Sequence, residues 1–163
     1  MSSAGTLRIR PATEDDVPQV LALIRALAEY ERLAHEVVAT EDQIRAALFS
    51  PRPLAETVLA ELDGAPAGFA LFFSTFSTFV GKPGIHLEDL FVLPPYRRRG
   101  VGRALFAHVA GLAVARGCGR FEWNVLDWNE PALSFYRERG AVLLAAWRVC
   151  RLTGEALERA AAT

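Results

Sequence analysis

Cysteine is scarce in this chain. Cys118 and Cys150 are the two present, too few by themselves for a disulfide framework or a zinc site. A reducing cytoplasm is the setting they predict, and no metal ligand set is visible. Lysine is scarcer still: Lys82 stands alone among the basic residues, a bias that coding composition can produce. Excess charge of either sign is missing too, since 18 basic and 19 acidic residues leave a formal net charge of -1. General nucleic-acid binders are usually basic, so no nucleic-acid partner is expected. No apolar run approaches the roughly 18–20 residues of a membrane span. The polar stretch Met1–Arg10 lacks the apolar segment of a signal peptide, so no membrane partner is expected. Internal repeats, long linkers and low-complexity tracts are absent as well. What remains is a chain of 163 residues, 52% hydrophobic and 23% charged, which suits one domain with a real core.

Leu7–Arg10 alternates apolar and basic residues, the pattern of a short strand, and Pro11 ends it. Thr13, Glu14, Asp15 and Asp16 are helix-start residues, with acids where the helix dipole favours them. Val17, Val20, Ile24 and Leu27 then mark one face of a helix that continues to Tyr30 and Glu31. A second helix is predicted from Thr40, which can form a capping box with Gln43, to about Phe49. Thr57–Leu62 reads as a strand, Asp63-Gly64 as a hairpin turn, and Ala67 to about Phe76 as the returning strand. Gly81–Gly84 reads as another turn. His86–Val92 is a further strand, with Leu90 and Val92 on alternate positions, closed by Pro94-Pro95. Gly100 to about Arg116 is a long helix, with Val101, Leu105 and Leu112 inward, broken by Gly117 and Gly119. Arg120–Val125 is a strand. Asn129 caps a helix with Pro131 in its first turn, and Gly140 ends it. Val142–Leu152 is expected to hold one or two last strands, followed by a short helix over Glu155–Ala162. Hairpins first and a β-α-β unit later predict an α/β class: a mixed sheet with helices on its faces.

The strongest local signal is Arg97-Arg98-Arg99-Gly100-Val101-Gly102-Arg103, just before the long helix. Glycines let a ligand approach the backbone, and the amides of a helix start bind anions. One reading is a phosphate cradle; the other is a solvated basic loop with a tight turn. A P-loop needs Gly-Lys-Ser/Thr, which is absent. A dinucleotide fingerprint needs a third glycine where Leu105 stands, and its glycines should follow the strand immediately. The acyl-CoA signature Arg/Gln-x-x-Gly-x-Gly/Ala is met by Arg97, Gly100 and Gly102. Upstream lies Leu87-Glu88-Asp89-Leu90-Phe91-Val92-Leu93-Pro94-Pro95-Tyr96, and downstream Trp128-Asn129-Glu130-Pro131-Ala132-Leu133-Ser134-Phe135-Tyr136.

On these blocks the chain resembles the GNAT superfamily of acyl-CoA N-acyltransferases over Leu7 to about Leu152. Leu27-Ala28-Glu29-Tyr30-Glu31, Leu87-Glu88-Asp89 and Trp128-Asn129-Glu130-Pro131 make it most similar to the diamine (spermidine/spermine) N1-acetyltransferase-like branch. That branch also includes enzymes acting on thialysine-type amino acids. The resemblance implies a central, mixed, mostly antiparallel twisted sheet of about six to seven strands flanked by four helices. It implies a single domain over residues 1–163 with its core at about 7–152, acetyl-CoA as co-substrate, and a homodimer. It also implies that Leu90, Phe91 and Val92 pair their backbone with the pantetheine arm. Arg97, Arg98, Arg99, Gly100, Val101, Gly102 and Arg103 would hold the pyrophosphate, and Asn129, Pro131, Ala132 and Tyr136 would touch the cofactor from a later helix.

Acyl transfer to an amine requires a deprotonated amine, a stabilised thioester oxygen and a protonated leaving thiolate. An alkyl ammonium, with a pKa near ~10.4, is almost wholly protonated at neutral pH. Glu88, just before Leu90-Phe91-Val92, is the candidate base; otherwise it is a solvent-facing strand acid. Tyr136 is the candidate acid for the sulfur; otherwise it is a core aromatic at helical spacing. Phe135 beside it reads as core. Tyr30 and Glu31 line the amine site in the resembled branch, or simply end a helix, and Asp89 joins Glu88 on the substrate side. His86 is a second possible base or a structural histidine. The diamine enzymes tend to carry acids shortly before the tryptophan of the last strand. Here Leu143-Leu144-Ala145-Ala146 precedes Trp147, leaving Glu31, Glu88, Asp89 and Asp127 as the acids for a polycation. The other readings are a GNAT acting on an aminoglycoside-like drug, an amino acid or a protein N-terminus, and a non-catalytic CoA-binding module.

Overall fold

The structure is a computed structural model that describes residues 5–162. Residues 1–4, at the start of the polar N-terminal stretch, and Thr163 lie outside the described residues. The chain forms two compact units, one up to Asn124 and one from Val125.

The first unit carries the sheet: β1 (Leu7–Pro11), β2 (Glu56–Leu62), β3 (Ala65–Ser77), β4 (Lys82–Val92) and β5 (Arg120–Trp123), in spatial order β1-β2-β3-β4-β5. All neighbours are antiparallel except β4 and β5, which run parallel. The parallel pair is joined by α3 (Val101–Ala115), as a parallel crossover requires. Between β1 and β2 lie α1 (Val17–Tyr30) and α2 (Glu41–Phe49). Thr40 and Gln43 form the expected capping box of α2. Asp63 and Gly64 both take positive φ, 54° and 79°, as a two-residue hairpin between twisted strands demands.

Two apolar clusters cover the two faces of the sheet. Val58, Ala60, Phe72, Ile85 and Leu87 pack against Val101, Leu105 and Val109 of α3. Leu59, Phe69 and Phe91 pack against Val20, Leu23 and Leu27 of α1 and Leu48 of α2. Phe69 and Phe72 lie next to β4 on opposite faces and are almost fully buried. Each such ring contributes about 1.5–3 kcal/mol relative to exposure. Arg10 clamps β1 to the start of α1: its Nε donates to Glu61 at 2.7 Å, and its terminal nitrogens donate to Asp16 at 2.7 and 2.9 Å.

Two expectations need correction. The turn expected at Gly81–Gly84 closes by Gly81, whose amide donates to the Ser77 carbonyl at 2.8 Å, and β4 already begins at Lys82. Gly84 serves close approach instead: a Cβ there would sit 2.6 Å from Thr75 Oγ1 and 3.2 Å from the Arg120 carbonyl oxygen. It is the glycine that lets β3 and β5 close on β4. The second correction concerns the strand count. The described residues give five strands, not six or seven, and five α-helices, not four.

The missing strands belong to the second unit, which holds α4 (Glu130–Arg137) and α5 (Gly154–Ala161). Among the described residues, none of 142–152 lies in a strand, and Val142, Leu144, Trp147 and Val149 are exposed. The Trp147 amide donates to the Leu144 carbonyl at 3.1 Å, a turn through Ala145 and Ala146 that interrupts the run. An apolar run supplies one condition for a strand; a neighbour for its backbone groups is the other.

Candidate active site

A single extra residue in β4 organises the site. Phe72 of β3 faces Leu87, but the next residue back, Leu71, faces Asp89, so Glu88 is the unpaired residue of a β-bulge. Strand alternation slips by one at that point. Ile85 and Leu87 point to the α3 face before it, and Leu90 and Val92 do so after it. Phe91 consequently turns to the α1 face, and Asp89, two residues back along the strand, shares its side. Without the bulge, the charge of Asp89 would point into the apolar layer under α3.

The bulge also coincides with a parting of strands. β4 and β5 pair from Gly84 opposite Arg120 to Leu87 opposite Trp123, and no further. From Glu88 to Val92, β4 keeps β3 on one side and has no strand on the other among the described residues. Leu90, Phe91 and Val92 therefore present a backbone edge. A bulge bends its strand and ends pairing in this way.

Three carboxylates gather beside this edge. Burial pushes the Asp89 carboxyl up to about 7, and the charges of Glu88 and Glu31 add to the effect. Burial also raises Glu31, which follows the last turn of α1. Neither Asp89 nor Glu31 is paired with a basic side chain among the described residues. Glu88 is exposed, with Oε2 3.5 Å from His86 Nε2, and the His86 ring stacks on Phe73 at 5.0 Å. Tyr30 lies 6.2 Å from Phe91, ring centre to ring centre. Tyr30, Glu31, Asp89, Phe91 and Arg97 thus form one neighbourhood.

The arginine and glycine turn follows β4 directly. Arg98 takes φ 61°, Gly100 takes φ 82°, and α3 begins at Val101 without a side-chain cap. The first amides of α3 are thereby left to the loop side. A Cβ at Gly100 would meet nothing, but its left-handed backbone favours glycine. Gly102 differs: its backbone is ordinary, and a Cβ would touch only Val92 Cγ2, at 3.5 Å. The protein's own packing therefore gives no reason for glycine at 102. Arg98 and Arg103 are exposed and unpaired with any acid among the described residues, and Arg99 lies 3.9 Å from Asp63. The Arg97 side chain instead folds back over Tyr30, a contact with no signal in the sequence.

In the second unit, Asn129 caps α4 as expected. It is buried, and its Oδ1 accepts from the Ala132 amide at 3.4 Å. Pro131 occupies the first turn. Tyr136, half-buried, meets Phe135 edge to face at 5.3 Å. Phe135, expected in the core, is half-buried beneath the Arg139 guanidinium, 3.5 Å from its ring centre. Asp127 is exposed.

This geometry has counterparts. The model of the acetyltransferase (GNAT) family matches residues 20–141. An L-ornithine N5-acetyltransferase of Arabidopsis thaliana is 38% identical, over 93% of this chain and 86% of its own. A thialysine N-epsilon-acetyltransferase of Mus musculus is 36% identical, over 96% of this chain and 98% of its own. Among solved structures, an integron cassette protein of V. cholerae superposes with a TM-score of 0.79 at 24% identity, covering 96% of this chain and 98% of that one; it supports the fold. The family match and the identity to these relatives show that the chain belongs to the GNAT acetyltransferase family and is an acetyl-CoA-dependent N-acetyltransferase.

Proposed function

We propose that this enzyme acetylates the primary amine of a small molecule, a diamine or polyamine or a thialysine-like amino acid, by direct attack of the amine on the acetyl group. One observation carries the reading: Glu31 and Asp89 are half-buried beside Glu88, and among the described residues neither is ion-paired with a basic side chain. Three acids, with the half-buried Asp89 among them, stabilise an incoming ammonium. The two relatives named for ornithine and thialysine, both amino acids, support the same substrate class.

Acetyl-CoA supplies the activated acetyl group as a thioester. The residues present suit it. Along the unpaired edge of β4, the segment Leu90, Phe91 and Val92 offers the backbone groups that do not face β3 to the amides of the pantetheine arm; the Val92 carbonyl is already taken by Arg97 Nε. The uncapped start of α3 offers the amides of Val101, Gly102 and Arg103 to the pyrophosphate, with Arg98, Arg99 and Arg103 adding charge. Asn129, Pro131, Ala132 and Tyr136 are assigned to the cofactor by the family pattern. Arg97 is assigned to the same turn through its backbone.

The substrate arrives as an ammonium, since its pKa of about 10.4 lies well above neutral pH. Asp89 and Glu31 draw it in, with Tyr30 beside them. Glu88, exposed at the bulge, accepts the proton on a carboxylate oxygen, directly or through water. His86, 3.5 Å away, orients that carboxylate. The Tyr136 hydroxyl gives its proton to the departing sulfur. The same reading has one catalytic domain per chain, a homodimer as the family resemblance suggests, and a cytoplasmic setting that suits the free Cys118 and Cys150. Sedimentation of the purified protein checks the dimer.

The deciding experiment is thiol release from acetyl-CoA over a panel holding ornithine, thialysine, spermidine, an aminoglycoside and a peptide N-terminus. Turnover of one or more of the first three supports the reading. Turnover confined to the aminoglycoside or the peptide, or to none, overturns it.

A further inference from the structure

The sequence sets Arg97 in the donor turn and Tyr30 at the end of a helix 67 positions earlier, and the structure joins them. The backbone of Arg97 leads into the turn, but its side chain leaves the turn altogether. Its Nε donates to the Val92 carbonyl at 3.0 Å, on the last residue of β4. Its guanidinium carbon stands 4.8 Å from the centre of the Tyr30 ring and 5.5 Å from that of Phe91. Phe91 is buried, 5% exposed, in the layer under α1, so it is a fixed floor. A planar cation held by one hydrogen bond and two rings has little freedom of its own. Displacing the Tyr30 ring removes one of those holds.

We infer that Arg97 is a positioning residue that couples the two substrate sites: its stacking on Tyr30 pre-orders the donor turn, and a ligand on that turn in return fixes Tyr30 beside Glu31 and Asp89. The inference rests on the reading that CoA occupies the turn from Arg97 to Arg103. Coupling of this kind is reciprocal, so it is visible from either site. It acts through the ring of Tyr30, on which the Arg97 guanidinium stacks.

The test uses CoA itself, without the acetyl group, so that no turnover occurs. Isothermal titration is run on wild type, Tyr30→Leu, Tyr30→Phe, Arg97→Ala and the Tyr30→Leu/Arg97→Ala pair. Tyr30→Leu is expected to weaken CoA binding about three- to tenfold, the range of a partly exposed cation–π contact. Tyr30→Phe, which keeps the ring, is expected to lose less affinity than Tyr30→Leu. In the Arg97→Ala background, Tyr30→Leu is expected to have no further effect, because the contact is already gone. Unchanged affinity in Tyr30→Leu, or the same loss in both backgrounds, overturns the coupling. Should Tyr30→Leu fail to fold, the wild type decides. In protein labelled with 3-fluorotyrosine, the Tyr30 fluorine resonance, assigned by its absence in Tyr30→Phe, is expected to move when CoA is added. A resonance that stays in place while CoA binds overturns the coupling alone. Failure of wild type to bind CoA overturns both the coupling and the cofactor reading beneath it.

Discussion

Replacing Gly102 with alanine sets stability against binding. Gly102 lies in the first turn of α3, and an added Cβ would meet only Val92 Cγ2 at 3.5 Å, ordinary van der Waals contact. No clash offsets the gain in helix propensity, which is about 0.5–1 kcal/mol for alanine over glycine in a helix. For a chain of this length that corresponds to a melting temperature about 1–4 °C higher. The same methyl group stands where the proposed pyrophosphate approaches the Gly102 amide. Loss of one hydrogen bond to a charged group costs about 1.5–3 kcal/mol, or roughly tenfold to a hundredfold in affinity for CoA. Gly102→Ala should therefore melt higher than wild type and bind CoA more weakly, and the bulkier Gly102→Val should bind more weakly still. Differential scanning calorimetry and isothermal titration on the same preparations read both quantities. A folded Gly102→Ala or Gly102→Val protein with wild-type affinity refutes the phosphate cradle, and a Gly102→Ala protein that melts lower refutes the packing argument.

Two further changes separate the roles of the acids and of Tyr136. Tyr136→Phe removes only a hydroxyl, so CoA affinity should hold while single-turnover acetyl transfer falls at least about tenfold; wild-type chemistry in that experiment removes the assignment. Asp89 titrates near 7 in the folded protein and near 3.9 in an unfolded chain. The native state therefore holds the extra proton between those values, and the contribution of this carboxyl to stability falls as pH rises from about 4 to 7. Asp89→Asn removes that contribution and leaves the one from Glu31, which is also raised by burial, so its melting temperature should gain on wild type between pH 4 and pH 8; an offset that stays constant across that range contradicts the buried acid.

The elements that position the site were legible where one local signal sufficed. Thr40 with Gln43, Asp63-Gly64 and Asn129 with Pro131 each fixed a boundary, because caps and tight turns depend on a few adjacent residues. The bulge at Glu88 was half visible. Ile85 and Leu87 occupy odd positions and Leu90 and Val92 even ones, a slip in phase that marks an extra residue, though it does not show which way Asp89 turns. The contact of Arg97 with Tyr30 left no trace, since it joins residues far apart in sequence through a side chain that leaves its own loop. Gly84 misled for a related reason: a glycine that admits two neighbouring strands reads in sequence like a glycine that turns the chain. The apolar stretch after Gly140 misled because alternation reports on side chains, whereas a strand also needs a backbone partner.

The central claim is that Glu88, lifted out of the ladder at the end of the β4–β5 pairing, takes the proton from the attacking amine. The most direct measurement is the pH dependence of turnover for wild type and Glu88→Gln with the best amine of the panel. Glu88→Gln is expected to be depressed at every pH and most at low pH, where the amine depends most on assistance. A Glu88→Gln profile with the shape and height of wild type would contradict the claim, and the base would have to be sought at His86 or in an ordered water chain.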